Sequence, residues 1–341
     1  MNLKKMLILI FVLILISLHC DTTEPPVDNL QPGRRDYVWT VDTLYSPNNT
    51  LYSIWGATPD DIWLGGKGGI TNYDQLWHFD GVRWKPYENQ IIETYPNCIF
   101  GFSKSDIWIG GNDGKIWHFD GNSWSQSFMY QTGSSYVDIV DISGKISNDI
   151  YAIGISAITS SFILHYDGIS WREQFFTNNK IQFLQMRQEN NRKFISGIKQ
   201  TFSTEPDTFF FFEYNDVALT EILSKPLDES TYWASMNLVG NELFFLIGRN
   251  LNNYKNGVFT KTLTINEPNF NYQVYGRNEK DMFIIMRDGL AHYNGTNIEY
   301  LYQFSNTWMN LFKPLIFEKE IFFPIEDNLN NYKGILHGVL K

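Results

Sequence analysis

The chain has 341 residues, 43% hydrophobic and 16% aromatic, enough to build a sizeable core as one large domain or two ordinary ones. Its net charge is −10, and no basic run interrupts it, which argues against nucleic acid or an anionic membrane surface as a partner.

The first 19 residues read as a targeting segment. Lys4 and Lys5 precede an apolar run from Met6 to Leu18, and His19-Cys20 follow. That run of 13 residues is too short to span a bilayer and suits a signal-peptide core. Ending on a cysteine, it resembles a bacterial lipoprotein signal, which implies that Cys20 is lipidated and becomes the first mature residue. Ser17-Leu18-His19 stands where such signals carry a Leu-small-small triplet. The alternatives are a secretory signal cleaved nearby and an uncleaved anchor. With Cys20 lipidated, Cys98 is the only other cysteine and no intramolecular disulfide can form. Cys98 opens an apolar strand and reads as a small buried hydrophobe rather than a reactive thiol. Residues 20–35 are polar and Pro-rich, the composition of a disordered tether.

From residue 36 onward the chain repeats itself. Asp61-Ile-Trp63 recurs as Asp106-Ile-Trp108 and Asp149-Ile-Tyr151, and drifts to positions indexed by Phe194, Phe244, Phe283 and Phe322. The index residues are 39 to 50 apart and all aromatic, a period shared by propellers and helical arrays. The intervening runs are short, rich in Ile, Trp, Tyr and Phe, and punctuated by Gly, Asn and Asp, so each unit reads as four strands. In the first unit these are 51–56, 61–66, 75–80 and 82–88. Asp80-Gly81, Asp120-Gly121, Asp167-Gly168, Asn256-Gly257 and Asn294-Gly295 are expected as two-residue hairpin turns with both positions at positive φ. The seventh unit ends at Lys341 without a fourth strand, and residues 36–44 match one, with Trp39 in the column of Trp84, Trp124 and Trp171. The expected fold is therefore all-β, a seven-bladed β-propeller over 36–341 of four-stranded antiparallel blades, its N-terminal strand completing the last blade.

The units resemble the Asn-Asp-Ile-Trp … His-Tyr-Asp-Gly-x-x-Trp repeats of secreted bacterial β-propeller proteins, related in architecture to kelch, WD40 and Asp-box propellers. The first three copies match well, the last four have drifted, and copy four lacks both the acid and the histidine. The resemblance implies an extracytoplasmic propeller, often lipid-anchored in the cell envelope at the outer membrane or cell surface. It implies no single activity.

Outside the signal, every histidine lies in one repeat column: His78, His118, His165, His292 and His337. Column members are distributed one per blade, too far apart to share a metal at about 2 Å. Antiparallel pairing instead places Asp61 beside His78, Asp106 beside His118, Asp149 beside His165, Asp281 beside His292 and Glu320 beside His337 as structural pairs. Trp63, Trp84, Trp108, Trp124 and Trp171 also recur in columns and read as packing between blades. Aromatic and basic residues outside the columns are better ligand candidates. The loops joining strands two to three and four to one share a face and hold Tyr73, Tyr95, Tyr130, Tyr136, Arg249 and Arg287.

No catalytic motif is present. The innermost strands (51–56, 96–101, 138–143, 182–187, 232–237, 272–276 and 311–316) offer only Asp138 and Asp141 as acids and only Arg187 as arginine. That is poor material for a glycosidase carboxylate pair. The expectation is a non-enzymatic module without metal or cofactor that binds an envelope protein or glycan through variable loops, chiefly 125–137 and 198–208. The alternative is a carbohydrate-active hydrolase or lyase with its site at the axial mouth.

Overall fold

A computed structural model describes residues 30–46, 49–68, 75–88, 92–157, 159–201, 205–228, 231, 233–305, 309–327 and 329–341. The signal, Cys20 and Tyr73 lie outside the described residues. Residues Pro32–Lys341 form one unit.

Each sequence copy forms its own antiparallel set of strands. The first set is Asn49–Thr58, Asp61–Gly68, Leu76–Phe79 and Trp84–Pro86, paired in that order. The second is Pro96–Ser103, Asp106–Gly111, Lys115–Phe119 and Trp124–Met129, and the third is Val137–Ile146, Asp149–Ser156, Ser160–Tyr166 and Trp171–Thr177. Copy four contributes Gln182–Glu189, Arg192–Lys199, Thr208–Tyr214 and Leu219–Pro226. Copies five (Ala234–Val239 to Val258–Thr264) and six (Phe270–Asn278 to Ile298–Gln303) repeat the order, and one parallel bridge, Val239 to Gly276, joins them. In copy seven, Met309–Leu311 and Leu315–Ile316 share the innermost place beside Glu320–Asp327, which pairs with Tyr332–Leu340. Tyr37–Leu44 completes that sheet, with Trp39 opposite Gly338 in the register of Trp84 opposite Phe79, one residue past the histidine column.

The second strands are buried on both faces, as in Asp61–Gly68 and Glu320–Asp327, while the fourth strands are largely exposed, as in Trp171–Thr177. First strands of successive copies pack against one another. Apolar clusters then bind sheet to sheet in chain order. Trp63 of copy one meets Trp124 of copy two edge-on at 5.4 Å, and Trp108 meets Trp171 of copy three at 5.6 Å. Phe322 of copy seven returns to Phe79 of copy one at 6.0 Å, which closes the series. All seven index aromatics are buried, and each contributes about 1.5–3 kcal/mol through area removed from water. The column tryptophans are therefore inter-sheet packing.

Two expectations need correction. Of the five hairpin pairs, only Asn256-Gly257 has both residues at positive φ (54° and 80°), in a two-residue loop. At Asp80, Asp120, Asp167 and Asn294 only the glycine is left-handed, and the loop is four residues long, as Phe79 opposite Trp84 shows. The acid or amide side chain sets this turn: Asp80 Oδ1 accepts from the Val82 and Arg83 backbone N–H groups at 3.1 and 3.0 Å. The excursion expected at 125–137 is shorter in the structure. Residues 125–129 continue a strand that pairs with Lys115–Phe119, so the loop is only 130–136.

Candidate functional site

Antiparallel pairing puts each histidine opposite its index aromatic, two residues from the acid. Asp61 Oδ1 stands 2.7 Å from His78 Nε2, Asp106 2.9 Å from His118, Asp149 2.8 Å from His165, Asp281 2.7 Å from His292, and Glu320 Oε2 2.9 Å from His337. Each imidazole also lies on its index ring, with centroids 4.0 to 5.0 Å apart. Among the described residues, no group of three or more His, Cys, Asp or Glu could hold a metal ion. Copy four keeps a pair in these columns with the charges exchanged. Arg192 occupies the acid position and Glu213 the histidine position opposite Phe194, joined by two bonds of 2.7 and 2.8 Å. Copy five departs from this, with Glu242 exposed and Asn253, opposite Phe244, leaving its Oδ1 without a partner among the described residues.

At Asp281 burial raises the carboxyl pKa, but the His292 hydrogen bond and the Arg277 charge outweigh it and hold the group below the usual carboxylate range. Cys98 is free and buried, and desolvation pushes its thiol well up, so it carries no thiolate.

The expected ligand residues do not converge on one point. Tyr130 is buried and donates its hydroxyl to Glu173, at the floor of a 480 Å3 cavity with Lys115, Met129 and Val137. Tyr136 is 45% exposed, and its hydroxyl engages Asp138. Tyr95 is half-buried and anchored through its backbone N–H on Asn112 Oδ1 at 2.7 Å. Arg249 is engaged in holding its own loop, with Nη1 donating to the Ile265 and Glu267 carbonyls at 3.1 and 2.8 Å. Arg287 is exposed and lines a second, open cavity of 270 Å3 with Trp233, Asn271, Tyr272 and Gln273.

This second cavity is the best-built candidate. Pairing of the first strand of copy six is interrupted between Phe270 and Val274, so residues 271–273 form a bulge, a device that re-aims side chains. Tyr272 is held there at φ 55°, a conformation bulky residues avoid and one that concentrates at functional positions. Trp233, 40% exposed, forms another side, and the Arg249 guanidinium stands 6.0 Å from the Tyr272 ring centroid. An exposed indole, a tyrosine, two side-chain amides and a cation can stack on and hydrogen-bond a ligand. Sequence reading selects Arg287 but misses Trp233, because it places residues 232–237 on an innermost strand, whereas the strand begins at Ala234 and Trp233 lies in the loop before it, outside the tryptophan columns. Tyr272 is hidden because its segment reads as an ordinary inner strand.

At the axis, Asp141 is ion-paired with Arg187 at 2.5 Å and accepts the Met186 backbone N–H at 2.9 Å. That leaves Asp141 unsuited to paired-carboxylate chemistry.

No family model matches the chain, and no curated protein matches it. Among solved structures it is similar to YCF48 bound to a D1 peptide, at 15% identity over 92% of this chain and 100% of that one, TM-score 0.62. It is also similar to virginiamycin B lyase from Staphylococcus aureus with quinupristin, at 14% identity over 89% and 100%, TM-score 0.65. YCF48 from Cyanidioschyzon merolae matches at 13% identity over 89% and 98%, TM-score 0.60. These neighbours are β-propellers, and so is this chain.

Proposed function

We propose that the protein is an extracytoplasmic, lipid-anchored, seven-bladed β-propeller that works as a protein-binding module rather than an enzyme. The observation that carries this reading is the bulge-built cleft of Trp233, Tyr272 and Arg287 on a closed ring of sheets. The count of seven is supported by treating the copy five and copy six sheets, joined by a single bridge, as separate blades. A peptide segment suits the cleft, because aromatic faces, amides and a cation recognise a chain without any catalytic pair. A propeller of similar fold holds a peptide, which supports the same choice. Anchoring through Cys20 would place the cleft at an envelope surface.

The test is a cross-linking pull-down from intact cells with tagged full-length protein, beside Trp233→Ala, Arg287→Ala and Cys20→Ala. A discrete envelope protein recovered with the wild type and lost with Trp233→Ala supports the reading. Recovery of glycan alone replaces it with carbohydrate recognition and makes a polysaccharide turnover assay the next step. Membrane attachment unchanged in Cys20→Ala removes the lipid anchor.

A further inference from the structure

One polar layer crosses the first strands. It lies opposite the position four residues past each acid column, where Ser53 pairs with Gly65, Cys98 with Gly110, Asp141 with Ile153, Gln185 with Ser196 and Ser235 with Leu246. Three of these side chains stitch one copy to the next. Ser53 Oγ accepts from the Ile99 backbone N–H at 2.8 Å, Asp141 Oδ2 from Met186 at 2.9 Å, and Gln185 Oε1 from Met236 at 3.3 Å. In copy seven the first strand breaks at this level, between Leu311 and Leu315, and Lys313 occupies the gap. Pro324 stands opposite with no N–H to donate, and Pro314 follows Lys313, so a regular ladder cannot form there.

Lys313 is exposed to solvent, yet Arg187, Asp141 and Cys98 from three other copies are the charged or ionisable groups acting on it. It forms no hydrogen bond or ion pair with any described residue. Asp141 cannot neutralise it, because Arg187 already holds that carboxylate at 2.5 Å. The three charges sum to +1 on a chain whose net charge is −10. In the same layer Ser235 is 7% exposed and its Oγ has no partner among the described residues. Desolvation by the surrounding chain, and after it the Arg187 charge, press the ammonium down to about 8 against the opposing pull of Asp141. Asp138, three residues before Asp141, engages Tyr136 and is not among the groups acting on Lys313.

We propose that this axial layer is a binding site for one carboxylate group, met by Lys313 with Arg187 behind it. One negative charge neutralises the net +1 of Lys313, Arg187 and Asp141, whereas a dianionic phosphate would overshoot it. Lysine suits this role as a compact point charge, while Nη1 of Arg187 is already engaged by Asp141 and the Met186 carbonyl. The carboxylate belongs either to a small free acid or to the end of a peptide chain. The site is independent of the cleft at Trp233.

The experiment is calorimetric titration of the full-length protein at pH 7 with sodium acetate, against sodium chloride at equal ionic strength. A short peptide with a free C-terminus and its C-terminal amide are titrated in parallel. Saturable one-to-one binding of acetate beyond chloride is expected, weakened about tenfold or more by Lys313→Gln and retained by Lys313→Arg. A free-acid peptide that binds more tightly than acetate while its amide does not assigns the source to a chain terminus. Equal affinity for acetate and the peptide assigns it to a small acid. Because Lys313 is exposed and unpaired, Lys313→Gln should unfold no earlier than wild type, so loss of binding cannot be ascribed to misfolding. Acetate binding unchanged in Lys313→Gln, or no different from chloride, overturns the proposal.

Discussion

The acid–histidine column permits a graded test, because the same pair occurs at very different burial. Asp281 is 8% exposed and His292 0%, and Arg277 adds a second contact to Asp281 at 3.1 Å. Asp149 and His165 have nearly the same separation, 2.8 Å, but the Asp149 side chain is 43% exposed. Replacing Asp281 by alanine leaves a buried imidazole and a half-buried guanidinium facing a gap, and removing one partner of a buried pair costs about 3–5 kcal/mol. Replacing Asp149 leaves His165 to solvent and costs about 1 kcal/mol or less. The assay is urea unfolding followed by tryptophan fluorescence, with the midpoints of Asp281→Ala and Asp149→Ala compared at unchanged slope. The expected gap is about 2 kcal/mol or more. Equal losses at the two sites would refute the claim that burial, rather than the repeat pattern itself, sets the strength of each pair.

The depressed Asp281 carboxyl carries a pH signature. Its folded pKa lies below the unfolded value of about 3.9, so its stabilisation is complete above that value and disappears as pH falls through the folded pKa. Acid titration of unfolding midpoints should therefore show wild type and Asp281→Asn converging below about pH 4. At the hairpins, Gly81 (φ 82°) would bring a new Cβ within 2.7 Å of Asp60 Cβ, while Gly257 (φ 80°) has open space around it. Gly257→Ala should cost about 1–2 kcal/mol from handedness alone, and Gly81→Ala more, as read by thermal melts of the two variants. Deleting residues 36–44 removes the strand that pairs along Tyr332–Leu340 and bares that edge. Light scattering should detect association of the truncated protein where the full chain stays dispersed, and an unassociated, equally stable truncation would contradict ring closure by that strand.

The fold was legible because its determinants are local and repeated. Index aromatics, hairpin glycines and Trp39 each appear in register with their counterparts, and register in a sheet follows from side-chain pattern. Turn geometry was less legible, since Asp-Gly suits both a two-residue turn and the four-residue turn that the Asp80 carboxylate stabilises. The cleft was barely legible. Tyr272 and Lys313 lie where strand pairing is interrupted, and an interruption of pairing leaves no periodic trace in the residues themselves.

Copy four shows why function belongs outside the columns. There the column pair is Arg192 with Glu213, closed by two bonds and packed with the arginine 4.6 Å from the Phe194 ring centroid. A catalytic or metal role for the histidines would demand imidazole chemistry, which an arginine–glutamate pair cannot supply. A structural role demands only complementary hydrogen-bonding groups over a buried aromatic, and that demand is met with either chemistry. The columns are thus occupied in holding adjacent strands together. What remains free to vary is the set of residues that interrupt the pattern: Trp233 before its strand, the bulge at 271–273 and the break at Lys313. A scaffold whose repeated positions mostly serve its own cohesion concentrates recognition in its irregular ones.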